Sequence, residues 1–133
     1  MFETEAVYAA GLAIQAHLAS VAVALATGAV LLAVRRGGPT HKTAGRVWAG
    51  AMMAAAATGL FIPSTLWDWW FGPIHIFSLI VLYNVPRAIL AIRRGDVAGH
   101  RAGMLGMAFG GLGVAGGLAL LPGRTLHAVV FGA

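Results

Sequence analysis

The chain contains no cysteine, only four acidic residues and little charge of any kind: Asp, Glu, Lys and Arg make up 10% of its 133 residues. The missing thiols exclude a disulfide scaffold and thiolate-ligated zinc, iron–sulfur and copper sites. The low charge excludes a soluble enzyme, since soluble domains carry about 25% charged residues. In place of charge stand 59% hydrophobic residues and a mean hydropathy of +0.84. A chain of 13.7 kDa cannot hide so much apolar surface in one water-soluble core. The formal net charge of +5 does not point to nucleic acid, because the basic residues sit beside apolar runs. In a membrane protein such residues set orientation. The composition therefore predicts an all-α integral membrane protein whose first partner is the lipid bilayer.

Four runs are long enough to cross about 30 Å of hydrocarbon as helices. They extend from Ala6 to Val34, from about Ala44 to Leu66, from about Ile74 to Ile92 and from about Ala102 to Leu121. The first would be about 43 Å long as a helix, so its start is expected to protrude. It lacks a basic n-region, unlike a cleaved signal peptide. Arg35, Arg36, Lys42 and Arg46 follow the first run, and Arg93, Arg94 and Arg101 lie between the third and fourth. The opposite side holds Glu3, Glu5, Asp68 and one basic residue, Arg124. The positive-inside rule then places both basic loops in the cytoplasm and both termini outside. Trp67, Trp69 and Trp70 would form an outer aromatic belt, the ordinary role of interfacial tryptophan.

The two halves repeat. His17 is followed eighteen residues later by Arg35-Arg36-Gly37, and His75 eighteen later by Arg93-Arg94-Gly95. His41 and His100 come next, and Pro63 and Pro122 each stand twenty-two residues beyond them. Ser20 and Ser78 each follow the leading histidine by three. The pattern predicts a single domain over residues 1–133, a four-helix bundle of two tandem hairpins spanning about 6–66 and 73–126. Hairpins pointing the same way are related by a pseudo-twofold axis along the membrane normal.

That axis sets the histidines in two pairs. His17 and His75 start about 27 Å above the inner arginines, near the outer edge of the hydrocarbon. His41 and His100 open the second and fourth spans at the inner edge. An interfacial histidine is usually an anchor, but ionisable groups within a span point by default to function. Two opposed imidazoles with small residues nearby suit a bis-histidine haem. A structural zinc wants four ligands, and neither pair offers more.

Span four supplies small residues in Gly106–Gly110 and Gly113–Gly117 spacing, which serve close helix packing, in a homodimer for instance, before they serve a flat cofactor, which they permit without requiring. Span two carries Ala54 to Ala57 and Gly59, and span one Ala24 and Gly28. Arg87, next to Pro86 within span three, either snorkels to the surface or binds a cofactor carboxylate. Arg46, Arg101 and Lys42 could serve a second carboxylate. His127 has no counterpart in the first half and reads as an outer surface residue.

These residues carry a resemblance. His17, the segment His41-Lys42-Thr43-Ala44-Gly45-Arg46, Pro73-Ile74-His75 and the segment from Arg93 through His100-Arg101 to Met104 are similar to a bacterial family of membrane proteins of unassigned function, predicted to have four helices. Ala115-Gly116 and Leu120-Leu121-Pro122-Gly123-Arg124 complete the likeness, which covers nearly the whole chain. It implies a multi-pass protein of the bacterial inner membrane. More distantly the chain resembles two-haem transmembrane b-type cytochromes, which pair haem ligands between alternate helices near opposite membrane faces. That resemblance implies one or two b haems, with His17 paired to His75 and His41 to His100, and a membrane redox partner or larger complex. This sequence departs from it in placing His41 and His100 close to the basic loops and in lacking a recognisable ascorbate site. The expected function is transmembrane electron transfer. The alternative is a cofactor-free accessory or transport-related subunit whose histidines are structural or relay protons.

Overall fold

A computed structural model describes residues 11–63 and 70–132, which form helices and no strand. α1 is Leu12–Ala33, α2 is Pro39–Gly59, α3 is Pro73–Arg93, α4 is Val97–Ala119 and the short α5 is Thr125–Phe131. α1, α3 and α4 are long and apolar enough to cross a membrane. The start of the first run at Ala6, the end of the second at Leu66, and Trp67, Asp68 and Trp69 lie outside the described residues.

Helix boundaries differ from the apolar runs for local chemical reasons. α2 begins five residues before Ala44, because Pro39 takes the first helical position, where its missing N–H costs nothing. It ends at Gly59. Leu60, Phe61 and Ile62 then bond back three residues each, to Ala57, Thr58 and Gly59. This tightening precedes Pro63, which disfavours helix at the residue before it. α4 begins at Val97 rather than Ala102, because Asp96 accepts a hydrogen bond from the Gly99 N–H at 2.8 Å and caps the helix. The turns before α2 and α4 each use a left-handed glycine, Gly37 at φ +78° and Gly95 at φ +80°.

α2 is the centre of the bundle. Trp48, Ala49, Ala51, Met52, Ala55, Ala56 and Gly59 are buried along it, a stripe at helical spacing. α1 lies against one side of that stripe and α3 against another, and α4 packs on α3. α1 buries only Ala24, and the apolar window of α4 buries nothing. Both expose large apolar side chains, Leu32 at 74% and Phe109 at 66%. Such faces suit lipid, which replaces water as their solvent.

α3 carries a graded face of His75, Ser78, Val81, Val85 and Ala88, polar at its start, apolar in the middle and small at its end. At mid-depth the π-helical stretch Met107–Val114 of α4 brings Gly111 against α2 and α3. A Cβ there would stand 3.2 Å from Met52 Cε and 3.5 Å from Val81 Cγ2. Glycines weaken the ordinary helical register, and a π stretch widens the helix where they cluster. The pairs Gly106–Gly110 and Gly113–Gly117 behave differently: no neighbour lies within 4 Å of a Cβ built on any of them.

Candidate functional site

Three helix ends meet at one end of the bundle, where α1 begins, α2 finishes and α3 begins. Their polar side chains gather around Gly59. His17 Nδ1 lies 2.7 Å from the Ala55 carbonyl oxygen of α2. A carbonyl only accepts, so Nδ1 carries the proton and Nε2 presents a lone pair. Thr58 Oγ1 lies 3.4 Å from the same nitrogen while donating to the Ala54 carbonyl at 2.7 Å. Gly59 has no side chain because none fits. A Cβ would stand 2.7 Å from Ser78 Oγ and 3.4 Å from His17 Cε1. The imidazole of α1 and the hydroxyl of α3 therefore bracket Gly59.

His75 stands one turn before Ser78 on the same buried face and is 2% exposed. As the third residue of α3 it reaches back to the helix start: the Gly72 N–H donates to Nδ1 at 3.0 Å. Its own N–H closes on the Gly72 carbonyl at 3.0 Å. The ring thus does what a glutamate does in a capping box. Phe71 packs edge-on at 5.0 Å between ring centroids. With Nδ1 accepting, the neutral ring carries its proton on Nε2, and that buried atom has no partner among the described residues. A buried donor left unpaired costs about 1–3 kcal/mol, so among the described residues this cluster lacks one acceptor.

The histidines at the basic end are arranged otherwise. His100 donates from Nδ1 to the Ala88 carbonyl of α3 at 2.9 Å, tying α4 to α3. His41 Nδ1 is buried with no partner among the described residues. No described hydrogen bond joins His41 to His100. Arg46, Arg87 and Arg101 are exposed, and the Arg87 guanidinium lies 5.1 Å above the Tyr83 ring. No described hydrogen bond or ion pair links these three arginines to a histidine. Among the described residues no three of His, Cys, Asp and Glu gather as a metal-holding group. His127 donates to the Leu120 carbonyl at 2.9 Å and rests on Phe131, closing the end of α4.

Sequence reasoning singled out the histidines but passed over the cluster's centre. Gly59 entered only as one more small residue, and Ser78 only as a repeat marker. Their signal was present as two spacings: Ser78 one turn beyond His75, and Gly59 at the end of α2's small face. Trp48 was missed altogether. It is 3% exposed, with Nε1 unpartnered among the described residues and 3.3 Å from where a Cβ on Gly28 would stand.

No curated protein and no solved structure matches the chain. A family model does, over residues 14–124, a stretch that holds all but the first two residues of α1, the whole of α2 to α4 and the polar cluster. The chain belongs to that family, described as predicted membrane protein (DUF2306).

Proposed function

We propose that this protein is a small membrane electron carrier of the b-type cytochrome kind, with haem b held in the bundle by His17 and His75. The observation that carries the reading is the polar cluster itself: the His17 imidazole beside Gly59, and the buried His75 imidazole one turn before Ser78, which closes on Gly59 from α3. Ionisable side chains at such a place are retained for function rather than packing. His17 has the posture of a metal ligand, its Nδ1 proton given to the Ala55 carbonyl and its Nε2 lone pair free of that bond. His75 contributes a buried Nε2 without a partner among the described residues. To ligate iron through that atom it must move its proton to Nδ1 and release the Gly72 N–H. Bound haem would supply one-electron exchange, its potential set by the axial imidazoles and the apolar wall.

The finer architecture belongs to the same proposal. α2 is the fourth span, shielded from lipid by the three more apolar helices. The hairpins α1–α2 and α3–α4 are tandem repeats, an arrangement supported by the matching left-handed glycines at Gly37 and Gly95. The basic loops face the cytoplasm of a bacterium and both termini face out. His41 and His100 are the ligands of a second haem, with Arg46, Arg101, Lys42 and Arg87 as cations for its carboxylates.

An absorption spectrum of detergent-purified protein, air-oxidised and then reduced with dithionite, tests the reading. A Soret band that sharpens on reduction, with split visible bands weakened in H17A and H75A by the share of the haem those residues hold, is the expected result. Colourless protein after haem supplementation overturns it.

One set of observations favours a second reading, a cofactor-free accessory or transport-related subunit. His75 already serves as the cap of α3, and His100 already staples α4 to α3. The open face of Gly106, Gly110, Gly113 and Gly117 would then take a partner helix or a second copy. Colourless protein that co-purifies with a partner, lost on G113L, would establish it.

A further inference from the structure

The basic end of the molecule is a second, separate feature. Eight of the nine Lys and Arg residues stand there: Arg35, Arg36, Lys42, Arg46, Arg87, Arg93, Arg94 and Arg101. All are exposed. Asp96 is the one carboxylate among the described residues, and no described ion pair joins it to any of these cations. Its Oδ1 is engaged with the Gly99 N–H.

The two hairpin tips differ in this respect. The second tip sets Asp96 two residues beyond Arg94. The first runs from Arg35 and Arg36 to Lys42 with no acid at all. Lys42 and Arg46 are four apart on α2 and so stack on one side of the helix. The first tip also borders an open, shallow crevice of about 510 Å³ lined by residues 34–40, from Val34 through Arg35 and Arg36 to Thr40.

The cations do not stand on a polar surface. Before them, on one side of α1 and two turns apart, stand the exposed Leu25 at 55% and Leu32 at 74%. The arginines follow within four residues of Leu32, where α1 ends, so the chemistry that complements both is an amphiphile with an acidic head. Arginine's planar fork matches phosphate oxygens.

We infer that the first hairpin tip is a binding site for an anionic phospholipid, its phosphodiester at Arg35 and Arg36 and its acyl chains along Leu25 and Leu32. Lys42 and Arg46 supply further positive charge along α2. The second tip, partly neutralised by Asp96, holds such a lipid less tightly. The site does not rest on the haem reading and stands under either function proposed above.

Lipid retention by the full-length protein tests it. Protein reconstituted in vesicles of phosphatidylglycerol and phosphatidylcholine in equal parts is extracted into mild detergent, and the lipid remaining bound is counted by native mass spectrometry. Phosphatidylglycerol is expected to be retained over phosphatidylcholine, and R35Q/R36Q to weaken that preference about tenfold or more, from roughly a kilocalorie per surface cation. R124Q, at the opposite end, should retain lipid as the parent does. R93Q/R94Q should lose less than R35Q/R36Q. If the double variant at the first tip does not fold, added salt serves instead, since screening must lower the preference. Equal retention of the two lipids overturns the proposal, as does a preference unchanged in R35Q/R36Q. Full competition by millimolar inorganic phosphate would show a free-phosphate site rather than a lipid site and overturn it equally.

Discussion

α2 and α4 follow the same kind of Arg-Arg-Gly turn and close successive hairpins, yet they pack in opposite ways. α2 buries seven residues along one stripe, whereas the apolar window of α4 buries none. The more apolar helix is the less buried one. In water that order would be inverted, but in lipid an apolar side chain gains nothing by leaving the solvent. What belongs inside is the helix lipid suits least, and α2 begins with His41, Lys42 and Arg46 within its first two turns. Its alanine face then lets α1 and α3 approach closely. α4 meets its neighbours at Gly103, Gly111 and His100 and through the half-buried Met104, Met107, Ala108 and Leu112, and leaves Gly106, Gly110, Gly113, Gly116 and Gly117 open.

The largest expected break in this contrast is a truncation at its centre. Met52 is 3% exposed, in the cluster with Val81 and Val85 and against Gly111. M52A should cost about 2–5 kcal/mol, the range for opening a cavity in a packed core. F109A on α4, where the ring is 66% exposed, should stay within about 0.5 kcal/mol. Thermal unfolding in detergent, followed by circular dichroism, reads both. Equal losses would mean that α4 is buried by something beyond this chain.

Glycine substitutions sharpen the same contrast within α4. A Cβ on Gly103 would stand 2.8 Å from the Ala88 Cβ. That atom is fixed to the α3 backbone, so the two helices must part, and G103A should cost about 1–3 kcal/mol. Gly113 has open space around it. G113A should be neutral or stabilising by up to about 1 kcal/mol, because glycine inside a helix is unfavourable relative to alanine. A loss at Gly113 as large as at Gly103 would reveal a second copy or partner seated on the open face.

How much of this was legible in the sequence follows from the same physics. Apolar runs of twenty residues declared the helices and the bilayer, since only closed hydrogen-bonded elements cross hydrocarbon. Paired Arg-Arg-Gly segments marked both turns. Hydropathy could not say which helix lies in the middle, because lipid and protein interior are equally apolar to a leucine. Histidine spacing gave depth along each helix but not ring orientation. The cap that His75 makes on Gly72 depends on where Pro73 starts α3. The bond from His100 to Ala88 depends on the close approach that Gly103 permits. Gly59 was legible as a small residue, but its role as the point between His17 and Ser78 needs three chain segments to converge.

The histidines at the basic end allow a finer test of the two helices. His100 holds α4 to α3 through the Ala88 carbonyl, whereas His41 on α2 has no Nδ1 partner among the described residues. H100A should lose about 0.5–1.5 kcal/mol, the net contribution of one hydrogen bond. H41A should lose less than H100A, because it removes no described Nδ1 bond. The reverse order, measured by the same melts, would show that His41 is the engaged member, as an inner cofactor ligand would be.

The smallest expected effect tests the cost of α2's central position. Trp48 is 3% exposed, and its Nε1 proton has no acceptor among the described residues. An apolar helix such as α4 buries no such group. In W48F the unpaired donor disappears, a gain of about 1–3 kcal/mol. Against this the smaller ring leaves a void, at about 24 cal/mol per Å³. The two terms nearly cancel, so W48F should melt within about 1 kcal/mol of the parent, on the stabilised side if α1 settles onto the phenyl ring. A loss well beyond that would mean that the indole N–H is satisfied after all, by a buried water or bound polar group beside Gly28. The interface between α1 and α2 would then be a site in its own right rather than a dry contact.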